Sequence, residues 1–175
     1  MILLSSNNQF YLKNINLLLN QKNIATVLNK NLGFFFEVDF QFYNEKIVMK
    51  SDTEFATLTL PLSFEKLLYK FKDLLGKKDI KISNINYNPL MQTISSNSHE
   101  CNLGNIHNTI FSNLILNIKG IEKNKLYKYI WPNDADTQIN KLDTHITNLK
   151  NKIKNELYID IKIISERGFL KLIIN

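Results

Sequence analysis

Cysteine, arginine, glycine and proline are all scarce in this sequence, and each scarcity excludes something. Cys101 is the only cysteine, so no internal disulfide can form and a reducing compartment fits. No apolar run approaches the roughly 20 residues of a membrane helix. Residues 1–6 carry neither a basic leader nor a long apolar stretch, so the expectation is a cytoplasmic protein with no membrane partner. The five glycines build no Walker A loop, no G-x-G-x-x-G turn and no nucleophile elbow, and H-E-x-x-H is missing too. His99, Cys101 and His107 match no closed four-ligand zinc pattern. The expectation is therefore no catalytic constellation, no enzyme, no cofactor and no resident metal. Arg167 is the single arginine among 22 basic residues, so positive charge comes as lysine point charges rather than planar guanidinium forks.

What is present suffices for packed domains. Hydrophobic residues make up 44% of 175, and the net charge of +6 favours polyanions such as nucleic acid. The polar break Gly76-Lys77-Lys78-Asp79 divides the chain into domains 1–78 and 79–175. The first reads as α/β. Ile2-Leu3-Leu4 and residues 24–28 read as strands flanking a helix over 9–21, which carries Phe10, Leu12, Ile15, Leu17, Leu18 and Leu19. Residues 34–40, 47–49 and 58–60 read as extended. After Pro61, Ser63 offers an N-cap to a helix with Phe64, Leu67, Leu68, Phe71, Leu74 and Leu75 on one face.

The second domain opens with strand signals around 81–87 and 91–95. A helix over 105–118 follows, carrying Ile106, Ile110, Leu114 and Ile118 and ended by Gly120. A second spans 122–131, carries Leu126, Tyr127 and Ile130, and stops at Pro132. A third spans 139–155 and aligns Leu142, Ile146, Leu149 and Ile153. Residues 159–164 and 169–174 are β-branched runs joined by Ser165-Glu166-Arg167-Gly168, a hairpin signal. Strands, three helices and a terminal hairpin make the layout of a winged helix, whose third helix can enter a major groove. The fold class is α+β.

Residues 103–174 resemble the effector domain of OmpR/PhoB-type response regulators. The second helix ends in the family's apolar-Trp pair, Ile130-Trp131. In the third, Asp143, His145, Ile146, Leu149 and Lys152 stand at the family's spacing, and Gly168-Phe169 resembles the Gly-Tyr of its wing. Asn140, Asn148 and Lys150 occupy places where the family has arginine. Leu103-Gly104 lacks its threonine cap, and Ser165-Glu166 replaces its Arg-Gly. The first domain resembles a shortened receiver: Met1-Ile2-Leu3-Leu4 looks like its opening, and Thr59-Leu60-Pro61 followed by a helix looks like its end. Ser6-Asn7-Asn8 stands where the receiver has its magnesium-binding acidic pair, and Leu60 where it has lysine. Asp39 is the nearest phospho-acceptor candidate, and a strand-edge carboxylate is its plainer reading.

The resemblance implies a two-component-type transcription regulator that binds double-stranded DNA independently of phosphorylation, with RNA polymerase as a possible partner. The apolar stripe of the helix at 64–75 is wide for a short domain to cover, so the expectation is a homodimer through it; the plainer alternative is that Phe64, Leu67, Phe71 and Leu74 fill the domain's own core. The DNA-binding candidates are Asn140, Lys141, Thr144, His145, Thr147, Asn148, Lys150 and Lys152 on the third helix and Arg167 at the hairpin tip. Asparagine pairs with adenine N6/N7, threonine meets a thymine methyl, and lysine bonds guanine or phosphate. His145 reads as a phosphate contact or a packed ring, Arg167 as a minor-groove contact. The alternatives are a winged helix that binds a regulator or polymerase without touching DNA, and an enzyme built on a pocket of the first domain.

Overall fold

The computed structural model of the chain describes residues 1–30, 33–52, 54–76 and 78–173. Lys77 of the boundary motif and Ile174 of the last expected strand lie outside the described residues. The chain forms two compact units, Met1–Lys78 and Asp79–Asn175, both of mixed helix and strand.

The first unit runs β1 (Ile2–Ser6), α1 (Gln9–Gln21), β2 (Thr26–Val27), β3 (Phe36–Phe42), β4 (Lys46–Lys50), β5 (Phe55–Thr59) and α2 (Phe64–Leu75). Its sheet has the order β2-β1-β3-β4-β5. β1 lies parallel to β2 and β3, whereas β4 and β5 are antiparallel to their neighbours. Loop length dictates the reversal: residues 43–45 and 51–54 are too few for the crossover of a dozen or more residues that parallel neighbours need.

Both helices cover one face. Tyr11 of α1 stacks on Phe42 at 4.9 Å, and Phe71 of α2 stacks on Phe40 at 6.2 Å. Phe40 and Phe42 are alternate residues of β3 and so point the same way. Asn8 caps α1, its side chain accepting from the amides of Phe10 and Tyr11 at 3.1 and 3.2 Å. Ser63 caps α2 through Lys66 N. α1 buries Leu12, Ile15 and Leu19; Phe10 and Leu17, grouped with that stripe by sequence, lie off it and face solvent. Leu67, Phe71, Leu74 and Leu75 of α2 are buried in the unit's own core. Of the stripe expected to form a dimer interface, these four residues belong to the unit's own core, whereas Phe64 and Leu68 are half-buried.

The second unit runs β6 (Ile80–Ile82), β7 (Ile85–Asn88), β8 (Thr93–Ser96), β9 (His99–Asn102), α3 (Gly104–Leu116), β10 (Ile121–Glu122), α4 (Lys123–Ile130), α5 (Ile139–Leu157), β11 (Lys162–Glu166) and β12 (Phe169–Ile173). β6 to β9 form an antiparallel meander in sequence order. The 81–87 segment is two strands, and β9 arises where the sequence suggested none. The registers Ile82↔Ile85 and Ser96↔His99 leave two-residue turns, with Ser83 and Asn97 at φ of +53°. Neither turn contains glycine, so the usual hairpin signal is absent.

A three-stranded sheet, β10-β12-β11, sets the terminal hairpin against a strand lying between α3 and α4. β10 has only two residues, too few to show a period, and takes Glu122 from the expected second helix. α3 ends at Leu116, not at Gly120, so Ile118 lies beyond it and is exposed. Gly120, at φ +114°, instead turns the chain into β10; a Cβ there would stand 3.4 Å from Leu170 O. α5 runs to Leu157, whose burial extends the line Leu142, Ile146, Leu149, Ile153 by one turn before Tyr158 adopts the left-handed cap.

Candidate nucleic-acid interface

α5 is fixed by what lies beneath it. Its buried line packs with α3, α4 and β9. Asp143 accepts an ion pair from Lys123, the first residue of α4, at 2.7 Å. Tyr127 of α4 donates to Asp134 Oδ2 at 2.6 Å, and Lys141 bonds the same oxygen at 3.0 Å. Asp134 is held below the usual carboxylate range, first by the Tyr127 bond and then by Lys141. Burial, followed by that bond, raises the Tyr127 phenol. These contacts tie the 131–138 loop to α4 and to the first turn of α5.

The sequence-nominated residues separate by position. Asn140, Thr144, Thr147 and Asn148 lie on the solvent side of α5. Lys141 lies over the Trp131 ring, its ammonium 4.2 Å from the centroid. His145 is half-buried against Trp131 and His107, at 5.4 and 5.7 Å between centroids. Lys152 pairs with Glu156 at 3.5 Å. Lys150 is half-buried on the opposite flank, beside Asp143 by helical position. Arg167 is exposed in a two-residue turn with Gly168, at φ of +49° and +81°, the geometry of a type I′ hairpin. Asn151, Lys154 and Asn155 share the exposed side, although sequence reading did not nominate them. The 3.6 period was signal enough, because all three face away from the buried line.

The outward surface of α5 is thus mostly amide and hydroxyl. Thr144 donates its hydroxyl to Asn140 O at 2.9 Å, and Thr147 to Asp143 O at 3.0 Å. Among the described residues no partner holds the side-chain amides of Asn140, Asn148, Asn151 or Asn155.

The remaining candidates do not converge. His99 packs edge-on to Tyr158 at 5.3 Å, and Cys101 is buried, its thiol pushed up to about 12 by burial and then by Glu156. His107 sits below the ordinary imidazole range, through burial first and then the charges of His145 and Lys152. No group of three or more potential metal ligands occurs among the described residues. In the first unit, Ser6 accepts from Asn8 N, Asn7 exchanges two bonds with the Phe42 backbone, and Asn8 caps α1. Asp39 lies within β3, its two oxygens bonded by Ser5 (2.7 Å) and Gln41. A groove of about 590 Å³ between α1 and α2 is lined by apolar, tyrosine, asparagine and serine side chains, with no carboxylate, histidine or lysine. No described helix is long and apolar enough to cross a membrane.

Comparison with protein-family models and with curated proteins found no match.

Proposed function

We propose that the second unit is a winged helix that binds double-stranded DNA, with α5 as the recognition helix and the β11–β12 hairpin as the wing, and that the protein regulates transcription. The observation that carries this reading is the outward side of α5. Asn140, Thr144, Thr147, Asn148, Asn151, Lys154 and Asn155 face solvent along a helix anchored on its other side by five buried aliphatic residues. Such a rigid, polar, amide-bearing helix has the dimensions and donor–acceptor groups that a major groove accepts. The hairpin presents Arg167 on a tight turn.

The first unit acts without phosphorylation in this reading. Its strand order, β2-β1-β3-β4-β5, is that of flavodoxin-like sheets, although β4 alone runs against the other four. Ser6, Asn7 and Asn8 contribute caps and backbone bonds where a magnesium site would require carboxylates.

Fluorescence anisotropy against labelled duplexes over a salt series tests the DNA reading. Affinity is expected to fall with salt, with a log–log slope of about −0.9 per neutralised phosphate. Asn148→Ala is expected to lose about 1–3 kcal/mol at the preferred site and to relax one base step. A folded protein with no duplex binding at low salt overturns the proposal and favours a module that binds a regulator or RNA polymerase.

A further inference from the structure

The two threonines on the outward side of α5 are not equivalent to two hydroxyls. Each has given its proton to the carbonyl four residues back, Thr144 to Asn140 and Thr147 to Asp143. That bond fixes the rotamer and commits the donor, so the γ-methyl is the group left to meet a ligand. The two residues are three apart, which separates them by about 4.5 Å along the helix axis. Successive base pairs rise by about 3.4 Å, so the two methyls suit neighbouring steps.

The asparagines beside them are in the opposite state. In and just after α1 and α3, asparagine amides are tied back to the carbonyl four residues earlier: Asn14 to Phe10, Asn20 to Asn16, Asn113 to Thr109 and Asn117 to Asn113. On α5, the amide of Asn148 has no such bond among the described residues, and neither does that of Asn151. Asn148 is one turn from Thr144, and Asn151 one turn from Thr147. Each pair therefore offers one methyl and one free carboxamide on adjacent helical positions. Lys141, Lys152 and Lys123 are ion-paired within the unit, so the positive charge on this side of α5 comes from Lys154, beyond the two pairs.

We infer that α5 reads A·T pairs through thymine methyls, with Thr144 and Thr147 as the methyl-sensing residues and Asn148 and Asn151 as their adenine-reading neighbours. The inference rests on the DNA-binding reading above and adds the chemistry that α5 selects. In the major groove an A·T pair shows adenine N7 and N6–H₂ beside the thymine C5-methyl, so one carboxamide and one methyl match one pair. A G·C pair offers no methyl and a different donor–acceptor order.

The test compares the full chain on alternating A·T duplex, the same duplex with deoxyuridine for thymine, and a G·C duplex. Removing the thymine methyl is expected to weaken binding about four-fold for each methyl buried. Thr144→Ser with Thr147→Ser keeps the hydroxyl and deletes the methyl, and is expected to abolish the thymine-over-uracil preference. Thr144→Val with Thr147→Val keeps a methyl and deletes the hydroxyl, and is expected to retain it. Both threonines are exposed, so circular dichroism is expected to find both double variants folded. Duplex binding with equal affinity for thymine and uracil forms, or a preference that survives the serine changes, overturns this inference and leaves DNA binding standing. Absence of binding to all three duplexes at low salt overturns the DNA reading and this inference with it.

Discussion

The Lys141 ammonium lies 4.2 Å from the centroid of the Trp131 ring while bonding Asp134 Oδ2 at 3.0 Å. A lysine so engaged clasps the loop before α5 to its first turn. Lys141→Met is expected to lower unfolding stability by about 1 kcal/mol, chiefly through the lost cation–π contact. Trp131 is the only tryptophan, so its fluorescence reports the site directly. Duplex affinity is expected to change less than for Asn148→Ala. A variant of unchanged stability and emission would show that the contact contributes nothing in solution.

His107 gives the second unit a pH dependence of definite sign. Its Nε2 is buried with no hydrogen-bond partner among the described residues, and the ring faces His145. Burial, then His145 and Lys152, place its folded value below the ordinary 6.5. Above 6.5 neither folded nor unfolded chain binds the proton, and stability is unaffected. As pH falls below 6.5, the unfolded chain takes up a proton that the fold excludes, and stability drops until the folded value is passed. Urea unfolding at about pH 7.5 and about pH 5.5 is expected to reveal this loss, and His107→Leu is expected to shrink it. An equal loss in the variant would assign the dependence to other groups.

In the first unit, Phe71 is wholly buried and stacks on Phe40. Phe71→Ala removes that packing and leaves a cavity, at an expected cost of about 3–5 kcal/mol. That is a large share of a small domain's stability. Chemical denaturation followed by circular dichroism measures it. A cost below about 1 kcal/mol would mean that the α2 stripe is not core.

Two glycines separate backbone strain from crowding. Gly168, at φ +81°, has open space where an alanine methyl would sit, so Gly168→Ala is expected to cost about 1 kcal/mol from backbone conformation alone. Gly120, at φ +114°, would also bring its methyl to 3.4 Å from Leu170 O. Gly120→Ala is expected to cost more, and thermal unfolding of the two variants tests that ranking.

Much of the helical framework was legible in the sequence because its signals are local. The apolar period of α1, that of Leu142, Ile146, Leu149 and Ile153, the Ser63 cap and the glycine of the last turn each act within a few residues, whereas the Asn8 cap emerged only in the structure. They delimit α1 and α2 as observed and place α3, α4 and α5 to within a turn at either end. The extension of α5 to Leu157 required a neighbour for Leu157 to pack against. The four-strand meander was less legible, because its turns at Ser83 and Asn97 take positive φ without glycine. β10 exists only because β12 pairs with it.

The candidate surface divides in the same way. Sequence determines that α5 has an outward side bearing asparagine, threonine and lysine, because a helix of that period has one buried line and one free one. Tertiary structure alone decided which polar side chains remain available there. Lys141 is drawn onto Trp131 and Asp134, and His145 packs between Trp131 and His107. These partners lie up to 38 residues away in sequence, as His107 does from His145, so no local pattern encodes them. Asn148 and Asn151 stay free because, among the described residues, nothing packed against the other side of α5 reaches round to them.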